Sequence, residues 1–93
     1  MKKIRKEAGL SQKAVGIAAG LDPNVASTRL NRYELGIHQV EHAMAKKLAE
    51  VLKVPTAYFF AEDEELAEFI LLFARADEAT KKRLLEELRS AQN

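Results

Sequence analysis

The sequence predicts an all-α fold of five short helices followed by a C-terminal helical pair. Two observations predict it. Gly, Pro, Ser and Asp cut the 93 residues into seven short segments. In every segment long enough to judge, apolar residues recur at helical spacing rather than alternating, and no segment reads as a strand. The length describes one small domain. Such a chain buries only about two thirds of its extended surface. With no Cys to form a disulfide, it needs an efficient helical core or a partner subunit, so oligomerisation is expected.

The elements follow in order. Met1, Ile4 and Ala8 share a face of a first helix that stops at Gly9; it is short, as if an N-terminal turn were missing. Ser11 is a natural N-cap for a second helix ending at Gly20, with Ala14, Val15, Ala18 and Ala19 on one side. Asp22-Pro23 is another start signal, since Asp caps and proline is tolerated at the first helical position. The third helix runs to Leu35, with Gly36 as the stop. Glu41 to Leu52 forms a fourth, with Met44, Ala45, Leu48, Val51 and Leu52 inward. Pro55 opens a single turn containing Tyr58, Phe59 and Phe60. Leu66, Phe69, Ile70 and Phe73 then mark a sixth segment. After a break at Ala76-Asp77, Leu84, Leu85 and Leu88 mark a seventh, making a helical hairpin. The cluster Glu62-Asp63-Glu64-Glu65 suits the positive end of the sixth helix.

Fifteen Lys+Arg against fourteen Asp+Glu leave a net charge of +1, which hides an asymmetry. Met1 to Phe60 carries ten bases and five acids, and Ala61 to Asn93 five bases and nine acids. A sign reversal from +5 to −4 suggests a polyanion-facing surface at one end of the chain. No apolar stretch approaches the ~20 residues that span a bilayer, and Met1-Lys2-Lys3 does not begin a signal peptide. A cytoplasmic location is expected.

The third helix carries the functional signal. Allowing about 100 degrees per residue, Ala26, Leu30 and Tyr33 fall within about 60 degrees of one another and face the core. The opposite side holds Asn24, Ser27, Thr28, Asn31 and Arg32, with no carboxylate. Ordinary solvated helix faces are dense in Glu and Lys, whereas Ser, Thr and Asn are poor helix formers. These side chains suit base edges: Asn pairs with adenine, Arg with guanine, and Ser or Thr with either, while the Thr methyl meets that of thymine. Ahead of it, Gln12, Val15, Gly16, Ala19, Gly20 and Leu21 have the form of the first helix and turn of a helix-turn-helix unit, with Gly16 small enough for a close crossing.

With the flanks added, Ile4-Arg5 through Phe60 resembles the five-helix DNA-binding domain of the phage Cro and lambda-repressor family, also called the XRE family. The matching pieces are Arg5, Gly9-Leu10-Ser11-Gln12, Val15-Gly16, Gly20-Leu21, Arg32-Tyr33-Glu34-Leu35-Gly36 and Leu48-Ala49-Glu50-Val51-Leu52-Lys53-Val54-Pro55. The resemblance implies a five-helix, repressor-like DNA-binding domain over residues 1–61, followed by a helical hairpin over 62–93. It implies a phosphate contact from Gln12 and base contacts from Ser27, Thr28 and Arg32, with Asn31 beside them. Lys13, Arg29, His38 and Gln39 are the further candidates for phosphates. It also implies an ion pair between Arg5 and Glu34 that is structural rather than a DNA contact.

The chain departs from the family pattern twice. Gly20 to Glu34 spans fourteen residues where about ten are usual. The extra four, close to one helical turn, either lengthen the third helix through Asp22-Pro23-Asn24-Val25 or widen the turn, and whether Asn24 reaches DNA depends on which. The loop after Gly36 has Ile37, His38, Gln39 and His42 in place of the usual lysines and arginines. His38 and His42 straddle a loop and a helix start with no third ligand nearby, so no metal site is expected.

The resulting expectation is a sequence-specific transcriptional regulator, a repressor by family type. It would bind double-stranded DNA at a palindromic operator as a homodimer through the hairpin, where Leu71 and Leu72 lie outside the main apolar stripe. The alternative is an antitoxin or adaptor-type module whose acidic hairpin binds another protein. No catalytic set is present: the chain has no thiol, no Gly-rich phosphate loop and no serine-histidine-acid arrangement with a shared pocket. No cofactor is expected.

Overall fold

The computed structural model describes residues 1–92. Helices α1 (Lys2–Glu7), α2 (Gln12–Ala18), α3 (Pro23–Glu34) and α4 (His42–Leu52) are followed by a 3-10 helix over Thr56–Phe60, then by α5 (Glu64–Arg75) and α6 (Glu78–Ala91). The described residues include no strand. Ser11 is the N-cap expected of it, and Asp63 and Asp77, expected only as part of an acidic helix start and as a break, cap their helices as well. Ser11 Oγ accepts from the Ala14 N–H at 3.0 Å, Asp63 Oδ1 from Leu66 at 2.7 Å, and Asp77 Oδ1 from Thr80 at 2.7 Å, each satisfying a first-turn donor that has no partner within its helix.

One core serves the first five helices. Ile4 of α1, Val15 and Ala19 of the second helix and its cap, Leu30 of α3, Leu48, Ala49 and Leu52 of α4, Val54 just after it, and Leu71 of α5 form a single buried cluster. On α2, Val15 and Ala19 are inside as expected and Gly16 sits at the close crossing that its size predicts, but Ala14 and Ala18, expected on the same apolar side, are exposed. The cause is the crossing with α3. A Cβ added at Gly16 would lie 2.7 Å from the Ala26 Cβ and 3.0 Å from its Cα, closer than packed carbon atoms approach. The two helices therefore meet with almost no side chain between them. That contact turns Gly16 inward and fixes the rotation of α3, whose Ala26 and Leu30 are fully buried.

The four extra residues lengthen the helix rather than the turn. α3 begins at Pro23, and Asp22 Oδ1 accepts from the Asn24 N–H at 2.8 Å. A full turn thus precedes the crossing at Ala26. At the other end Gly36 adopts φ +74°, which favours glycine. The Ile37 N–H then donates to the Arg32 carbonyl at 3.0 Å, closing the helix.

The C-terminal helices pack differently from their apolar spacing. Leu71, off the main stripe of α5, is the residue buried against the domain, whereas Leu66, Phe69 and Leu72 remain exposed. α6 has no buried residue, and its Leu85 and Leu88 are exposed. Near its start, Lys81 Nζ lies 6.0 Å from the centre of the Phe73 ring. The described molecule is elongated, 52 × 24 × 20 Å.

The crossing makes a direct prediction. Gly16→Val forces a side chain into the Ala26 backbone and is expected to cost about 1–3 kcal/mol, visible as a melting temperature lower by several degrees. Moving the missing methyl across the contact, in Gly16→Ala with Ala26→Gly, should retain more stability than Gly16→Ala alone. Equal melting temperatures for Gly16→Val and the parent chain would contradict this packing.

Candidate nucleic-acid interface

With Ala26 and Leu30 anchored inward, simple rotation assigns the outward face of α3. Asn24, Thr28, Asn31 and Arg32 occupy an arc of about 100 degrees opposite the core, and all four are exposed. Ser27 lies on the flank toward α2. Arg29 lies on the other flank, where its Nη1 donates to the Tyr33 hydroxyl at 3.4 Å. The predicted base-contacting set therefore comes together on one face, with Ser27 at its edge and Asn24 within it.

A hydrogen-bond chain holds this face to the domain. Arg5 Nε donates to Glu34 Oε2 at 2.7 Å and its Nη2 to Oε1 at 3.2 Å, while Nη1 donates to the Leu10 carbonyl at 2.9 Å. The two side chains expose only 9% and 3% of their surface, so the fork-to-carboxylate geometry is sheltered from water. Gln12 Nε2 extends the chain, donating to Glu34 Oε1 at 3.0 Å and to Asn31 Oδ1 at 3.1 Å. The Arg5–Glu34 ion pair thus ties α1 to the end of α3, as the family resemblance implied. Burial pushes the Glu34 carboxyl upward, but hydrogen bonds from Arg5 and Gln12 and the Arg5 charge outweigh it and hold the group below its ordinary value. The hydrogen bond to Glu34 in turn raises Arg5 above its usual range against its own desolvation.

Gln12, the expected phosphate ligand, therefore has both amide hydrogens directed at Asn31 and Glu34, which leaves its carbonyl oxygen and the neighbouring exposed Lys13 at the start of α2. In the loop after α3, His38 Nε2 lies 3.5 Å from Arg32 Nη1, and Gln39 is exposed beside it. His42 is drawn elsewhere, its ring stacked on Phe60 with centroids 5.9 Å apart. Lys13 on one side of α3 and His38 and Gln39 beyond its far end bracket the polar face.

Two features escaped the sequence reading. Asn24 was on the predicted polar face but not among the expected contacts, because the placement of the extra four residues was open; the Asp22-Pro23 start signal was the clue. The Gln12–Asn31 bond joins residues nineteen positions apart, and no periodicity reports such a pair.

A helix-turn-helix family model matches residues 1–59. Among solved structures, that of the transcriptional regulator BswR is similar: the two share 40% sequence identity, the match covers 99% of this chain and 94% of that one, and the TM-score is 0.82. Comparison with proteins of curated function gave no match.

Arg5→Ala should destabilise the fold by about 3–5 kcal/mol, because it leaves the Glu34 carboxylate sheltered and without its charged partner. Denaturant unfolding at neutral pH measures this, and an unchanged midpoint would refute it. The pH dependence has a definite sign. The folded Glu34 group titrates below its unfolded value, so its stabilisation is complete above about pH 4.3, the usual glutamate value, and is lost as pH falls through the folded pKa. Glu34→Gln should therefore flatten the acid limb of the stability curve.

Proposed function

Because the chain belongs to the helix-turn-helix family of the Cro and lambda-repressor type, we propose that it is a sequence-specific DNA-binding transcriptional regulator, acting as a repressor in the cytoplasm. It inserts α3 into the major groove of a palindromic operator as a homodimer. The observation that carries this reading is the outward face of α3. Its exposed Asn24, Thr28, Asn31 and Arg32 are hydrogen-bonding groups matched to base edges, on a helix whose rotation is fixed by backbone contact with α2.

Within this reading, Ser27, Thr28, Asn31 and Arg32 contact bases, and Lys13, Arg29, His38 and Gln39 contact phosphates on either side, joined by Gln12 once one of its amide hydrogens leaves Asn31 or Glu34 for a phosphate oxygen. Arg5 and Glu34 remain structural. Residues 1–61 form the DNA-binding domain, and 62–93 supply the contact between subunits. The exposed Leu66, Phe69, Leu72, Leu85 and Leu88 support that assignment, since apolar faces on two successive helices of a small chain are what a second copy would cover. A two-fold dimer places its two α3 helices about 34 Å apart, one helical turn of DNA. The similarity to BswR supports a role in transcription. Function then rests on binding rather than on catalysis. No helix is long and apolar enough to cross a membrane among the described residues.

Selection from random duplex DNA tests the reading. The intact chain should recover a palindromic motif with half-sites one or more helical turns apart. Arg32→Ala and Asn31→Ala should each lose about 1–3 kcal/mol of base discrimination. Lys13→Ala should instead weaken all sequences alike and lower the salt slope by about one. Binding without sequence preference, or none at low salt, would favour the adaptor reading.

The dimer assignment has a separate readout. Leu72→Lys should sediment as a monomer at concentrations where the parent chain is dimeric. A variant that remains dimeric would move the interface elsewhere.

A further inference from the structure

The lengthened start of α3 carries side chains that the fold does not use. Asn24 and Val25 belong to the turn that precedes the Gly16–Ala26 crossing, and both are exposed, Val25 at 43%. The cap from Asp22 engages the Asn24 backbone N–H and not its side chain. By contrast, the Asn31 amide on the same face already accepts from Gln12. Val25 is equally unexplained by packing. A β-branched apolar residue is a poor helix former and gains nothing from an exposed helical position.

We propose that this turn is a specificity element, in which Asn24 reads an adenine and the Val25 methyl groups meet the thymine methyl of an adjacent or the same A·T pair. The inference rests on the reading of α3 as the groove-entering helix. Rotation places Asn24 one turn ahead of Thr28 and two ahead of Arg32 on a single exposed column. The four residues from Asn24 to Thr28 rise about 6 Å along the helix, and base pairs repeat every 3.4 Å. Asn24 therefore addresses a position about two base-pair steps from the one addressed by Thr28. The chemistry fits such a position: a carboxamide satisfies the N6 donor and N7 acceptor of adenine together, and a branched apolar group complements the C5-methyl. The four residues that depart from the usual spacing thus extend the half-site read by each subunit.

Selection from random duplexes with the parent chain, Asn24→Ala and Val25→Ala tests this, with melting temperatures as the folding control. The parent should recover a motif with a strong A·T position flanking those set by Thr28 and Arg32. Asn24→Ala should keep the rest of the motif and lose preference at that position by roughly 5- to 150-fold, the fold-change for one bidentate pair. Deoxyuridine in place of the thymine removes only the methyl group; it should weaken the parent and leave Val25→Ala unaffected. If Asn24→Ala recovers the parent motif at every position, the inference is overturned while the regulator reading stands. A parent chain that recovers no motif overturns the regulator reading and this inference with it.

Discussion

Everything that α3 presents to its surroundings depends on one steric constraint, the backbone-level contact between Gly16 and Ala26. A helix free to roll by one residue would turn its faces by about 100 degrees, enough to exchange Thr28 for Arg29 at the outermost position. Side-chain packing alone tolerates such adjustment, because Leu and Val can repack. A contact in which no Cβ fits between the helices does not. The exposed polar face is thereby a property of the α2–α3 pair, and the cost of a glycine inside a helix, about 1 kcal/mol relative to alanine, is offset by the close approach it permits.

The polar chain from Arg5 through Glu34 and Gln12 to Asn31 complements that contact. Steric fit sets the rotation of α3 near its start, and the Glu34 carboxylate fixes its end against α1 and α2. Because Gln12 bonds both the structural carboxylate and a candidate base-reading amide, the ion pair is coupled to the surface. Arg5 has no exposed role of its own, yet it orients Glu34, which orients Gln12, which holds the Asn31 carboxamide oxygen. A side chain orientated before binding loses less rotamer freedom on contact, so if α3 is the reading helix, as proposed, the buried network would contribute to recognition through the order it imposes there.

How much of this was legible in the sequence differed from element to element. Local features were readable because they are written in adjacent residues: Ser11 and Asp22 cap the helices they precede, the acidic cluster around Asp63 and the break at Asp77 mark two further helix starts, and Gly36 ends α3 with positive φ. The core face of α3 was equally clear, since Ala26, Leu30 and Tyr33 recur at helical spacing. Features set by three-dimensional partners were not. Periodicity shows that α5 has an apolar stripe but not what that stripe faces. Leu71 is buried because the domain happens to lie on its side, and Leu66 and Phe69 are left outside. α2 shows both kinds of feature: the small size of Gly16 announced a close crossing, whereas the exposure of Ala14 and Ala18 follows from how the contact with Ala26 turns the helix. The Arg5–Glu34 pair was anticipated through family resemblance, as charge counting cannot pair residues twenty-nine positions apart.

The net charge of +1 gains a structural meaning from this arrangement. The basic residues belong to the segment that holds α3, and the acidic excess begins with the approach to α5. An acidic hairpin beside a polyanion would oppose binding if it lay against the DNA, because unscreened repulsion extends over about 8–10 Å at physiological salt. In an elongated molecule, 52 Å in its longest dimension, the two charge centres can lie several screening lengths apart. At such a separation the acidic end adds little repulsion toward the duplex. A net of +5 on one domain, with His38 and Gln39 where lysines and arginines are usual in the family, makes only a modest phosphate footprint. Counterion release scales with the number of phosphates neutralised, so pairing two such domains would double the electrostatic term, and this is what the proposed dimer through the exposed apolar residues of α5 and α6 would supply.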